Sequence, residues 1–366
     1  MSAVCFYISG HGLGHASRQI EIINALGAIS PSTHLLIRTS APRWLFDRTL
    51  RVPADLVAGD CDTGVVQRDS LHLDADETIR RAAEFHQSVR DRALLEAAFL
   101  RQHGVRLVIA DAPPLACAAA AVAGVKSVVV SNFTWDWIYQ AYRPEIEQAS
   151  WLPGALRETY QLATAAWRLP MHGGFESLAR VIDVPFVARH ARHRRADVRE
   201  MCRLPHDRRV ALVSFGGYGV NDIDLARLDC LDHYLVVLTH DGTFESPVPR
   251  GVALLAEPDL YEAGLRYEDL VAAVDVVMTK PGYGIISECV ANGTAILYTS
   301  RGRFAEYEVL VREMPRYLRC GFIDQQDLFA GRWVSALDKV LSAPAPPERP
   351  PTDGADVIAA MIVNLR

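Results

Sequence analysis

The sequence predicts an α/β protein built from two doubly wound halves, and three observations carry that prediction. Residues 4–8 form an apolar run that ends in Ser9-Gly10-His11-Gly12-Leu13-Gly14-His15, after which Ile20, Ile22, Ile23 and Leu26 recur at helical spacing. This is the order strand, glycine loop, helix of dinucleotide-type folds. Residues 209–219 repeat that opening as an apolar run into Gly216, Gly217 and Gly219. The same spacing separates Asp111 from Gly124 and Lys280 from Gly293, each pair bracketing a helix between two strands. Strands alternating with helices imply parallel sheets, and 366 residues are enough for two domains of ordinary size.

In chain order, residues 35–38 start the second strand, and 51–75 read as irregular with short strands around 55–57 and 64–67. Residues 76–102 read as one long amphipathic helix whose buried face is Ala83, Val89, Leu94, Leu95, Ala98 and Phe99. A strand over 106–111, a turn at Pro113-Pro114, an alanine-rich helix over 115–123 stopped by Gly124 and a strand over 126–130 follow. Residues 131–167 are rich in aromatics. The domain boundary falls near Asp183-Val184-Pro185, which divides the chain into domains over 1–184 and 185–345. Residues 346–366 then form a proline-rich strap and a terminal helix that packs back on the first domain. The arginine-dense stretch 189–209 reads as a solvated helix and linker, with an anion contact as the alternative.

Composition narrows the function classes. Half the residues are hydrophobic, so the chain can bury real cores. A net charge of −6, from 38 basic and 44 acidic residues, argues against a nucleic-acid partner. The 7 cysteines are scattered without a CxxC pair, which indicates neither a disulfide framework nor a zinc site. No run approaches the ~18 apolar residues of a membrane span, and the start lacks the basic flank of a signal peptide. The expectation is a cytoplasmic protein without an integral membrane segment. Nothing in the sequence reads out its oligomeric state.

The chemistry concentrates in residues 280–293, KPGYGIISECVANG. A buried strand over 274–278 leads into a tight turn at Pro281, Gly282 and Gly284, and a helix opens near Tyr283. The free N–H groups of a helix start are an anion site, and Lys280 adds a full positive charge at its mouth. Glu288, early in the helix, is placed to reach a ribose hydroxyl pair. Together these suggest a grip on a nucleoside diphosphate; a plain strand–turn–helix with a capping Glu is the bland alternative.

These residues resemble the donor motif of the GT-B glycosyltransferases, two Rossmann-like βαβ domains whose parallel sheets face one another across a cleft. In the plant UDP-sugar branch the motif begins with a histidine and continues with a glycine, a glutamate and a second glycine, and Lys280, Gly282, Glu288 and Gly293 fall at those places. Glu306 is the nearest match to the residue that reads sugar hydroxyls there, slightly offset. From end to end the chain is similar to the glycosyltransferase-like N-terminal half of the plant bifunctional L-arabinokinases. That likeness runs through GHGLGHASR at 10–18, ADAPPLACAAA at 110–120, SNFTWDWIY at 131–139, VIDVPFVAR at 181–189, SFGG at 214–217 and KPGYGIISE at 280–288. No kinase-type phosphate loop occurs, so the resemblance implies a glycosyltransferase-like protein and not a sugar kinase.

The resemblance implies transfer of a sugar from a nucleotide-diphosphate sugar to an acceptor that the sequence does not identify, with inversion. The helix start and Lys280 would stabilise the leaving diphosphate, with Gly216, Gly217, Gly282, Tyr283 and Gly284 letting the backbone approach it. No DxD motif stands at a strand end, so neither a metal nor a cofactor is expected beyond the donor as co-substrate. His15 falls where that branch carries its base, and imidazole is suited to accept a proton near neutral pH; Asp111 matches the acid that orients it. His11, Arg18, Asn132, Trp135 and Asp136 are the candidate acceptor residues. Structural readings stand beside these: a turn residue for His15 and His11, a helix cap for Asp111, a salt bridge for Arg18, core packing for Trp135, a surface acid for Glu306. The competing functions are a UDP-sugar 2-epimerase-type isomerase and a non-catalytic nucleotide-sugar-binding protein.

Overall fold

The computed structural model of the protein describes residues 3–216, 223, 225–240 and 248–365. Among them, β1 (Ala3–Ile8), β2 (His34–Thr39), β3 (Asp55–Ala58), β4 (Val105–Asp111), β5 (Lys126–Phe133), β6 (Ala165–Gly173) and β7 (Val181–Asp183) make the first sheet, in the order β3-β2-β1-β4-β5-β6-β7. The second sheet holds β8 (Arg209–Ser214), β9 (Tyr234–His240), β10 (Val252–Ala256), β11 (Val276–Thr279), β12 (Ala295–Tyr298) and β13 (Cys320–Phe322), in the order β10-β9-β8-β11-β12-β13. Every strand pair is parallel. Strands covered on both faces read as near-continuous apolar runs, and β1 is buried at every residue.

The helices between the strands of the first sheet are α1 (Gly14–Ile29), α2 (Arg43–Thr49), α3 (Ala75–Gln87), α4 (Val89–Gln102), α5 (Pro114–Ala123), α6 (Trp135–Gln140) and α7 (Leu152–Tyr160). Those that follow are α8 (Arg195–Met201), α9 (Glu257–Glu262), α10 (Tyr267–Ala273), α11 (Tyr283–Asn292), α12 (Ala305–Tyr317), α13 (Gln325–Phe329), α14 (Val334–Ser342) and α15 (Gly354–Leu365). The echo in spacing has a structural basis. Both α5 and α11 stop at a left-handed glycine, Gly124 at φ 74 and Gly293 at φ 71, a conformation that costs any residue with a Cβ.

Three expectations need correction. Residues 76–102 are two helices, broken at Ser88, and α4 buries Ala93, Ala97 and Leu100 while Leu94 and Leu95 face solvent at 59% and 73% exposure. The phase is set by Glu96, which turns inward to accept from the Tyr7 hydroxyl at 2.7 Å and to pair with Arg38. Residues 64–67 form no strand, only a bridge between Gln67 and Leu73. The arginines after the boundary are not simply solvated. Arg199 is buried and donates to the Ala273 carbonyl and Asp275, each at 2.8 Å, and Arg189 pairs with Glu288.

One buried apolar cluster runs through both halves, joining Ile20, Ile23 and Leu26 of α1 to Ile286 and Cys289 of α11 and to Ile358 and Ile362 of α15. The last helix lies on α1, and Lys126 donates to the Leu365 carbonyl at 2.9 Å. Its start is tied by a bridge between Val187 and Asp353. A Cβ on Gly354 would collide with the Pro185 and Phe186 carbonyls, so only glycine permits that seat. Gly354→Val is expected to lower stability by about 1–3 kcal/mol. It should also expose the strap to proteolysis, read by urea denaturation and by limited digestion.

Candidate active site

Several strand ends at the centre of the fold lead into candidate residues. Asp111 is the last residue of β4, and His15 and Arg18 stand one turn apart on α1 directly after the loop that leaves β1. Asp111 is fully buried. Its Oδ1 lies 2.8 Å from His15 Nδ1 and 2.5 Å from Arg18 Nη2, and its Oδ2 accepts from Arg18 Nε at 2.5 Å and Gln19 Nε2 at 3.0 Å. Burial alone would push this carboxyl up, but the Arg18 guanidinium and the hydrogen bonds from Arg18 and His15 hold it well below the usual carboxylate range. An ionised Asp111 can only accept, so a proton on His15 Nδ1 is donated to it and leaves the lone pair of that tautomer on Nε2, while Arg18 Nη2 lies 3.0 Å from the same Nδ1.

Arg18 carries the network onward. It donates to Asn132 Oδ1 at 2.7 Å and to Ser131 Oγ at 3.2 Å. Asn132 in turn donates to Glu306 Oε1 at 2.8 Å, which takes the chain of hydrogen bonds from the tip of β5 into α12 of the second half. The Arg18 guanidinium also lies 5.0 Å over the ring of Tyr283 at the start of α11. Charge, hydrogen bond and cation–π contact together hold the two halves in one register.

The starts of α1 and α11 meet across this junction, where a Cβ on Gly284 would lie 3.6 Å from Gly14 Cα. Neither helix has a side-chain cap or an acid in its first turn, so both present unbonded N–H groups. Lys280 precedes α11, with its ammonium pushed down to about 7 by burial and by Arg301. Arg301, after β12, donates to the Pro281 carbonyl at 3.2 Å and lies 3.5 Å over the ring of Phe304. His11 stacks on Phe304 at 6.0 Å and accepts the Val65 N–H at 3.3 Å. Burial, His15, Arg301 and Lys280 keep its imidazole neutral, well below the ordinary histidine value. Two helix starts and two cations thus converge, which is an environment for an anion.

The structure brings His11, His15, Arg18, Asp111, Asn132, Lys280, Gly282, Gly284 and Glu306 into this one junction. Gly216, two residues after β8, has φ 76; Gly217 lies outside the described residues. Other candidates stand differently from the expectation. The Tyr283 hydroxyl accepts the Val187 N–H at 3.3 Å and its ring packs on Phe186, so only its backbone is left for a phosphate. Trp135, 1% exposed, is stacked on Tyr139 and donates to Asp62 at 2.8 Å, which makes it a support beneath the histidines and not an open sugar platform. Asp136 is buried against Arg157 at 3.1 Å. Glu288 is buried in a pair with Arg189 and is pushed up to about 7 by burial; its Oε2 has no partner.

Two residues of the site escaped the sequence reading. Asp62 accepts from Ser9 Oγ at 2.9 Å and from Trp135, and burial pushes its carboxyl up to about 6. It also lines a small cavity with Phe85, His86, Trp135, Tyr139 and Leu156. Asp62 sits in an aperiodic stretch, so no pattern marked it. Arg301 stands only a few residues before Glu306 and was within reach of the same motif.

No protein-family model matches the chain. Over 349 residues it is 31% identical to the L-arabinokinase of Arabidopsis thaliana, an alignment covering 92% of this chain and 32% of the plant protein. The chain therefore spans about a third of the length of that curated relative. Among solved structures it superposes on the kitacinnamycin glycotransferase with TM-score 0.63 at 17% identity, covering 99% of this chain and 98% of the other. On the calicheamicin glycosyltransferase CalG4 the TM-score is 0.61 at 13% identity, covering 100% and 97%. The chain has the GT-B fold. A Phytolacca americana UGT2 complexed with UDP-2fluoro-glucose and pterostilbene shares it, with TM-score 0.61 at 12% identity over 100% and 94%. In the GT-B frame the strand tips of both sheets face the junction, where ligands of open parallel sheets bind. Among the described residues no helix is long and apolar enough to cross a membrane, and no group of three or more His, Cys, Asp or Glu is set to hold a metal.

Replacing Asp111 strands Arg18 as a buried cation. Asp111→Ala is expected to lower the unfolding free energy by ~3–5 kcal/mol, measured in urea. Because the folded carboxyl titrates below its ordinary value of 3.8, the stability it supplies is present above that value and lost as pH falls through the lower folded one. The variant should lack that acid limb.

Proposed function

We propose that the protein is a nucleotide-sugar-dependent glycosyltransferase, inverting and metal-independent, with His15 as the general base. The observation that carries this reading is His15 Nδ1 against the buried Asp111 carboxylate at 2.8 Å, opposite the uncapped start of α11. With Nδ1 engaged, Nε2 takes the proton of an acceptor hydroxyl as its oxygen attacks the anomeric carbon, and Asp111 stabilises the imidazolium that forms. The bond to the leaving diphosphate breaks on the opposite face. The charge that develops there meets the N–H groups of α11 and Lys280, with no reorganisation needed at that moment. The likeness of the whole chain to sugar-transferring folds, with 0.61 for the UDP-sugar complex, supports a nucleotide sugar as donor. The kinase activity in the name of the plant relative is not carried over, because the sequence holds no kinase-type phosphate loop.

A second reading, a sugar-nucleotide 2-epimerase, draws on Asp62, an acid near His15 that the transferase reading does not employ. One assay separates the two, and a binding protein from both. The protein is incubated with UDP-, GDP- and dTDP-sugars with and without an acceptor pool. Diphosphate release that requires acceptor is the expected result; an epimerised sugar, or binding without turnover, overturns it. His15→Ala should lower turnover about 10²–10⁴-fold while the folded protein still binds donor, and Asp111→Asn should lower it while the donor KM holds. If both variants keep most of the activity, the dyad is not the base.

Lys280 adds a pH signature. Burial and Arg301 set its ammonium at about 7, and a bound diphosphate, being anionic, holds it charged. Binding therefore takes up a proton above pH 7, and affinity falls as pH rises through 7 to 9, by at most about tenfold per unit. Calorimetry in buffers of different ionisation enthalpy should show that uptake in the wild type and a smaller one in Lys280→Met.

A further inference from the structure

Among the described residues Arg301 is a buried cation with no carboxylate at ion-pair distance; Glu306, the acid whose charge acts on it, has its Oε1 taken by Asn132. Arg301 is 8% exposed, and burial lowers its affinity for the proton. One donor, Nη1, is used on the Pro281 carbonyl at 3.2 Å, and the flat face is fixed 3.5 Å over Phe304. Nε is buried with no partner. What remains is the Nε–Nη2 edge, the pair of parallel donors that fits a carboxylate side-on. A guanidinium stays charged in proteins, and a buried unpaired charge costs far more than the packing of its stem returns. A ligand anion removes that cost.

The position decides which anion. Under the proposed function the N–H groups of α11 and Lys280 already meet the diphosphate. Arg301 has as charged neighbours Lys280, His11 on the loop that carries His15, and Glu306 on the hydrogen-bond chain to Arg18. It thus lies between the loop that carries His15, through Phe304 and His11, and the Lys280 turn, through Pro281; under the proposed function the transferred sugar sits between base and diphosphate. We propose that Arg301 pairs with a carboxylate on that sugar, and that the donor is a nucleoside-diphosphate uronic acid. The inference rests on the glycosyltransferase reading of the same site.

Calorimetric titration of the full chain with UDP, UDP-glucose, UDP-glucuronate and UDP-galacturonate tests it, with the GDP and dTDP forms where uridine does not bind. The expected result is a preference of about 10- to 100-fold for a uronate over its neutral hexose. Compared at about pH 6, where Lys280 is charged with or without its neighbour, Arg301→Gln should abolish that preference and weaken the uronate far more than the bare diphosphate, since the guanidinium holds the sugar. Arg301→Lys, which keeps the charge and loses the fork, should retain part of it. Equal affinity of the wild type for uronate and hexose overturns the inference alone. So does an Arg301→Gln variant that weakens the bare diphosphate as much as the uronate, because the arginine then serves the phosphates. Failure of the wild type to bind any nucleoside diphosphate overturns the transferase reading and this inference with it. The wild-type comparison stands even if Arg301→Gln fails to fold.

Discussion

The buried carboxylate of Asp111 is the constraint on which the rest of the junction depends. A fully enclosed negative charge is tolerated only when it is paired and saturated with donors. Here His15, Arg18 and Gln19 supply them from a single helix. That requirement fixes the rotation of α1 over the tip of β4 and, with it, the direction in which the second imidazole nitrogen points. Arg18 then leaves Asp111 with donors to spare, and these reach Asn132 and, through it, Glu306 in the other half. The orientation of a proposed base and the register of two domains thus follow from one charge that has to be satisfied.

The opposite charge is distributed in the opposite way. Two helix starts without caps, Lys280 and Arg301 face one another, while several acids of the region are held elsewhere: Glu288 on Arg189, Asp111 on Arg18, Glu145 on Arg303. Positive potential gathered inside a fold is unfavourable for the empty protein and favourable for an anionic ligand. The downward shifts of Lys280 and His11 come first from burial and then from these neighbouring charges. Stability on the carboxylate side and ligand affinity on the cationic side are therefore two uses of the same low-dielectric junction.

Much of this was legible in the chain and some was not. The first glycine loop, the paired helices ending at Gly124 and Gly293, and the uncapped helix start after Lys280 follow from short-range rules, so spacing alone pointed to them. The phase of α4 did not, because Glu96 abandons the polar face to meet Tyr7 and Arg38, residues remote in sequence. Trp135 and Tyr283 carried the right neighbourhood but the wrong task. Their rings are covered by Tyr139 and Phe186, and coverage depends on what folds over a residue. Asp62 and Arg301 gave no periodic signal, since a lone charge in a loop looks the same whether solvated or enclosed.

The sequence by itself determined the α/β class, the two parallel-sheet halves and the GT-B layout. The first two are written in local periodicity and in turns that glycine and proline favour; the GT-B layout came from the resemblance of the motifs. The tertiary structure alone decided which buried charges are paired with one another and which face the junction. Pairing of buried ions depends on distances between residues as far apart in the chain as Arg18 and Asn132, or Arg189 and Glu288. Such distances are set by packing, and no spacing along the chain encodes them.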